Sequence, residues 1–251
     1  MRSMLLKGPA LGLAAALAMA APAAAHHRGG DDGMKAGGKA PSRVVSKARS
    51  ALKAIDRADE RLNDNETAKA VSQLAAARRS LASAQKTTIR KLSADNGPAA
   101  ASVLFAAQGK AASELSGLFD EQTGEAVDAL AQTLGYVVDQ RDALVAAISA
   151  LDDTAEAKYA GVMSRAANGI GDEIGDYDDA LADDTLTDAA KTAITNAKTK
   201  ATATKAALEA RVTALGSSSS NGSDDRPCPG GRGGRGDRFG DDDGGDQGPW
   251  S

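Results

Sequence analysis

The sequence predicts an all-α protein, an elongated antiparallel bundle of five or six long helices flanked by disordered tails. Alanine dominates and aromatic residues make up only 3% of the 251 residues, a composition that favours helix. Between residues 41 and 216 only Pro41 and Pro98 occur, so no helix interior there has to lose a backbone N–H. Apolar residues recur in this region at three- and four-residue steps between short polar turns, and short turns between long helices make antiparallel neighbours.

The first helix carries Val45, Ala48, Leu52, Ile55, Ala58 and Leu62 on one face and stops at the Asn63-Asp64-Asn65 turn. In the second, Ala70, Leu74, Ala77, Leu81, Ala84 and Thr88 alternate four-three up to the stop signal Asn96-Gly97-Pro98. Alternating Ala and Leu in this seam lets the two helices approach closely. Pro98 suits the first turn of a third helix through Leu104, Phe105, Ala111 and Leu115 to Phe119.

The fourth helix has the most regular heptad: Val127, Leu130, Leu134, Val137, Arg141, Leu144, Ile148 and Leu151. Its one charged member, Arg141, is expected to sit at an edge or to pair with a carboxylate from another helix. "DDTAE" at 152–156 reads as an N-cap with a capping box, starting a fifth helix with Tyr159, Met163, Ile170, Ile174, Tyr177 and Leu181. The apolar phase also runs through this point, which would make helices four and five continuous. Leu186, Ile194, Ala197, Ala201, Leu208, Val212 and Leu215 define the last helix. The longer helices should reach about 29 residues, or about 43 Å at 1.5 Å per residue.

The ends of the chain have another composition. Arg2 and Lys7 precede an Ala/Leu-rich run closing on Ala23-Ala24-Ala25. A basic start, a short apolar region and a small-x-small site make a secretory signal peptide at 1–25, with cleavage after Ala25. The run contains Gly8 and Pro9 and is too weakly apolar for a membrane anchor, and no later segment is apolar enough to span a bilayer. A secreted or extracytoplasmic location follows. Residues 26–40 form a leader and 217–251 a Gly/Ser/Asp/Arg-rich tail, both expected to be disordered because they cannot bury enough apolar surface to offset ordering entropy. The Ala/Arg/Asp/Gly bias resembles that of proteins from GC-rich bacteria.

The single cysteine, Cys228, lies in that tail, so no intrachain disulfide can form and its one covalent option is an intermolecular bridge making a homodimer. The tail's Arg235-Gly236-Asp237 is an integrin-type tripeptide in a segment rich in those same residues. His26 and His27 open the processed chain, where a free amine beside two imidazoles offers a copper or nickel chelate. At those positions the leader resembles the N-terminal-histidine copper brace of secreted polysaccharide oxygenases, whose β-sandwich this helical sequence does not supply.

With both histidines in the leader, the helices have none to bind di-iron or haem, or to build a Ser-His-Asp, Cys-His or zinc site. No cofactor is expected. The favoured reading is an exported, non-enzymatic protein acting by contact with a cell-envelope polymer, with itself or with another secreted protein. The alternative is an extracytoplasmic metal-binding protein built on His26, His27 and an acidic helix face.

Charge changes sign along the chain. From Arg43 to Lys91 twelve basic residues face five acidic ones, from Lys110 to Asp153 two face nine, and from Lys191 to Arg211 five face one. This alternation favours pairing between helices inside the bundle, with an anionic partner for the first hairpin as the other option. Nucleic acid is the least favoured partner, because aromatic stacking platforms are missing. In "GIGDEIGDYDDALADDTLTD", residues 169–188, eight acidic residues occur without a basic one. On a helix, Asp172, Asp176, Asp179 and Asp183 form one stripe opposite Ile170, Ile174, Tyr177 and Leu181. The stripe is expected to face outward as a partner surface, since carboxylates strung over about 16 Å of helix do not converge on one ion. The three glycines lie on its flanks, and no strand precedes them as a phosphate loop requires.

Overall fold

Helix propensity and the turn signals divide the chain into three hairpins. In a computed structural model, residues 39–220 are described, and among them are six long helices and one short one. These are α1 (Ser42–Asn63), α2 (Thr67–Ile89), α3 (Gly97–Gly117), α4 (Glu125–Ser149), α5 (Asp153–Ala157), α6 (Ala160–Leu181) and α7 (Asp188–Ser220). All-α architecture is therefore established for this region. The expected signal peptide and most of the leader and tail lie outside the described residues. α7 runs through Ser220, past the boundary expected at residue 216.

Hairpins α1/α2, α3/α4 and α6/α7 pack side by side. One layer holds α1, α3 and α6, the other α2, α4 and α7, and α3/α4 is the central hairpin flanked by the other two. That position explains why α3 shows no clean stripe in sequence: Ala100, Leu104, Phe105, Gln108, Ala111, Ala112 and Leu115 are all buried, spread around the helix. A helix with neighbours on several sides buries most of its circumference. The long helices other than α7 span 21 to 25 residues, shorter than expected.

The turn between α1 and α2 is tight, closed by Asn65 at φ 60 with its N–H bonded to the Leu62 carbonyl at 2.9 Å. Asn tolerates that left-handed conformation. With so little slack, α1 and α2 pack side by side, burying Ala51, Ala58 and Leu62 of one and Ala70, Leu74 and Leu81 of the other. The close approach shifts the buried face of α1. Val44 and Ala51 are fully buried, while the expected core members Val45 and Leu52 are only half-buried.

α4 and α6 are not continuous. α4 stops at Ser149, and Asp152 takes an extended backbone (ψ 156) while its carboxylate accepts the Ala155 N–H at 2.9 Å. Capping by Asp competes with helix continuation and wins here. The N-cap is thus Asp152, and the expected reciprocal arm, Glu156, instead turns inward, where Arg211 of α7 donates Nε–H to Oε1 at 2.6 Å.

A second fixed point is the start of α3. The Tyr159 hydroxyl donates to the Leu92 carbonyl at 2.5 Å, tying the α5–α6 junction to the α2–α3 loop. Burial pushes this phenol up to about 12. Gly97 lies against it, where a Cβ would come within 2.5 Å of the Lys91 carbonyl and 2.7 Å of the Leu92 carbonyl and would also strike the Tyr159 hydroxyl. Only glycine fits there.

Candidate functional site

The acidic segment divides into three parts. Asp172, Asp176 and Asp179 are exposed on α6, with Ile170 and Tyr177 buried on its other side, as the periodicity predicts. Asp176 accepts a hydrogen bond from the Ser113 hydroxyl of α3. Asp183 does not belong to the stripe. α6 ends at Leu181, and in the loop beyond it the Asp183 carboxylate accepts the Thr185 N–H at 2.8 Å, a bond that holds its pKa below the ordinary 3.8. The Leu181-Ala182-Asp183-Asp184 stretch becomes a turn because Asp side chains bond their own backbone two residues on.

The third part is Glu173, which points into the core. Its side chain and that of Arg141 from α4 are each 1% exposed, and Arg141 Nη1 donates to Glu173 Oε2 at 2.5 Å. The Tyr177 hydroxyl donates to Glu173 Oε1 at 2.5 Å. Among the described residues, Arg141 Nε and Nη2 have no hydrogen-bond partner. Burial raises the Glu173 pKa, opposed by the Arg141 charge and the Tyr177 bond, and burial raises that of Tyr177 as well. Beside this triad, Gln108 of α3 donates to Gln85 of α2 at 3.1 Å, and Gln85 donates to the Gln140 carbonyl of α4 at 2.6 Å. The seam charge at Arg141 is thus a structural pair with another helix, and together these groups form a polar layer in the middle of the bundle.

Of the two other surfaces with features, one is an open groove of about 570 Å³ between α4 and α7, lined by Val127, Ala131, Gly135, Ala193 and Ala197 with Asp128 and Lys200. Lys200 is engaged by Asp139 at 2.5 Å. Among the described residues, no three His, Cys, Asp or Glu side chains gather closely enough to hold a metal ion. His26, His27, Cys228 and Arg235-Gly236-Asp237 lie outside the described residues.

The remaining surface is the α1/α2 hairpin. The expected pairing of basic with acidic helices holds for α7, where Lys198 pairs with Asp178, Lys200 with Asp139, and Arg211 with Glu156. It does not hold for the first hairpin. Of its twelve Lys and Arg side chains, only Arg61 and Lys69 have a carboxylate within 4 Å, both at the turn, and Arg78 donates to Gln132 at 2.8 Å. Ten remain without an ion pair among the described residues, and most of them are exposed, including Arg43, Lys53, Arg57, Arg79, Lys86 and Arg90. α3/α4 stands between this hairpin and the acidic α6, and among the described residues no carboxylate of α3/α4 comes within 4 Å of these cations. α2 itself contains no acidic residue.

Helix stability does not account for the placement. Cations near the end of α2 complement its dipole, but Arg43 sits in the first turn of α1, where the dipole disfavours positive charge. Among the described residues no helix is long and apolar enough to cross a membrane. No protein-family model, curated protein or solved structure matches this chain.

Proposed function

We infer that this is an exported, non-enzymatic helical protein that works by contact, with the α1/α2 hairpin as its contact surface and the anionic material of the cell envelope as its partner. The observation carrying this reading is the set of ten hairpin cations with no carboxylate within 4 Å among the described residues. Cations that neutralised neighbouring helices would be spent, whereas these are free to meet an external anion. Such a field attracts an anionic surface and weakens with salt, since the Debye length falls from about 10 Å at 0.1 M to about 3 Å at 1 M. Export rests on the Arg2/Lys7, Ala/Leu and Ala23-Ala24-Ala25 pattern.

A contact role in preference to catalysis is supported by the fate of the buried polar groups. Arg141, Glu173 and Tyr177 engage one another, as do Gln85 and Gln108. The metal-binding alternative keeps Asp172, Asp176 and Asp179 on its helical face but not Asp183, which lies in the loop after α6.

Retention by purified envelope fractions tests the reading. The protein should be held at low salt and released at high salt. Passage through the column at low salt would remove the contact role.

A further inference from the structure

We propose that the open end of the α1/α2 hairpin binds the headgroup layer of an anionic lipid surface, a proposal that rests on the contact reading above and names its partner. At this end lie Arg43 and Lys47 in the first turns of α1 and Lys86 in the last turn of α2, with Arg90 and Lys91 directly after it. Arg43, Lys86, Arg90 and Lys91 are exposed and none is paired with a carboxylate among the described residues. The only acidic side chain in this part of the hairpin and its loop is Asp95.

In the middle of these cations stands Ile89, 41% exposed, the one large hydrophobic side chain exposed among the described residues. It is held on a firm support. Leu92 beyond it is buried, the Lys91 N–H is bonded to the Thr88 carbonyl at 2.8 Å, and the Leu92 carbonyl is tied to Tyr159. The outward turn of Ile89, Arg90 and Lys91 is therefore fixed by what lies beneath it.

An isolated exposed isoleucine is ordinary. One with Lys86 three residues before it and Arg90 and Lys91 directly after it, at the open end of a hairpin, fits an interface that is anionic outside and apolar just below. A water-soluble polyanion satisfies the cations and leaves Ile89 in water. The acidic loops of a second copy carry complementary charge but no exposed large hydrophobic side chain to receive it. A headgroup layer meets both demands. At the same end, Asp152, Asp153 and Glu156 are balanced in number by Lys158, Arg165 and Arg211, so the neighbouring helices neither add to the field nor cancel it.

The test is cosedimentation with vesicles, using the full chain and, in parallel, the processed chain from His26, so that any binding by the apolar signal segment at 1–25 is seen separately as salt-independent. Neutral phosphatidylcholine vesicles are compared with vesicles that also contain phosphatidylglycerol. Salt-dependent binding is expected on the anionic vesicles alone. Changing Lys86, Arg90 and Lys91 together to Gln should weaken it on the order of 100-fold, about fivefold per charge. Ile89→Asn, with helicity confirmed by circular dichroism, should weaken it about fivefold by removing partly buried apolar area. Equal binding to neutral vesicles would overturn the proposal. So would an unchanged affinity in Ile89→Asn together with full competition by inorganic polyphosphate, which would mark a general polyanion surface. Retention by envelope fractions without binding to anionic vesicles would overturn the lipid assignment and leave the contact role standing, whereas loss of both would remove the two together.

Discussion

Removing Glu173 should be among the most damaging single changes in this protein, and the structure sets the size of the effect. Arg141 is 1% exposed, and its Nε and Nη2 already lack partners, so Glu173 is the group that compensates its buried charge. Glu173→Leu leaves that charge alone in the core and is expected to cost about 3–5 kcal/mol. Arg141→Met should cost less, about 2–3 kcal/mol, because a carboxyl whose pKa is already raised by burial can take up a proton where a guanidinium cannot lose one. The sign can be checked by pH. A carboxyl raised above its ordinary 4.5 binds protons in the native state that the unfolded chain has released, so stability falls as pH rises through the window above 4.5. Arg141→Met should accordingly regain stability when the pH is lowered towards that value. The double variant Arg141→Met/Glu173→Leu replaces the pair by apolar side chains and should be near neutral or up to about 4 kcal/mol more stable than the parent. Urea denaturation followed by circular dichroism measures all three. Single variants costing under about 1 kcal/mol, or a double variant losing the sum of both, would refute the claim that the pair is buried and mutually compensating.

Three further outcomes follow from local geometry. Gly97→Ala should destabilise by roughly 2–4 kcal/mol despite alanine's better helix propensity, because its Cβ meets two backbone carbonyls, whereas Gly175→Ala, with nothing within 4 Å, should stabilise by about 0.5–1 kcal/mol. Thermal or urea denaturation of the two variants compares them directly, and equal effects would count against the clamp at Tyr159. Glu114 is pushed up to about 6 by burial and by Asp56, against the pull of Lys110. A raised carboxyl lowers stability as pH rises from 4.5 to about 6, so Glu114→Gln should flatten that part of the profile and gain about 1 kcal/mol at neutral pH, discounted for partial solvation. Tyr177→Phe deletes the hydroxyl bond to Glu173 and should cost about 1.5–3 kcal/mol in the same denaturation assay.

Much of this architecture was legible in the sequence because helix periodicity survives wherever a helix has one buried side. The α2 seam, the tight turn at 63–65 and the N-terminal Pro98 of α3 could all be read locally. α3 could not be read as fully, since a central helix has no polar face to contrast with a buried one. The break after Ser149 was masked by an apolar phase that continues across it, and only the Asp152 cap decides the outcome. Glu173 carried a usable signal: it lies three residues after Ile170 and four before Tyr177, nearer the apolar side of the wheel than the stripe of Asp172 and Asp176. Its match with Arg141 depends on α4 and α6 lying at the right height, which short-range pattern does not contain. The unpaired hairpin depends on topology too. Charge counts suggested that basic and acidic helices neutralise one another, but α3/α4 keeps α1 and α2 away from α6, and its own carboxylates lie beyond 4 Å of their cations among the described residues.

The contact role is tested most directly by envelope retention as a function of salt for the parent and for a variant with Arg43, Lys53, Arg79, Lys86 and Arg90 changed to Gln. These side chains are exposed and unpaired among the described residues, so the fold should tolerate the change. The parent should be retained at about 20 mM salt and released by about 0.5 M, where screening is nearly complete, and the variant should pass through at both. Equal retention of parent and variant at low salt would contradict the assignment of contact to this hairpin.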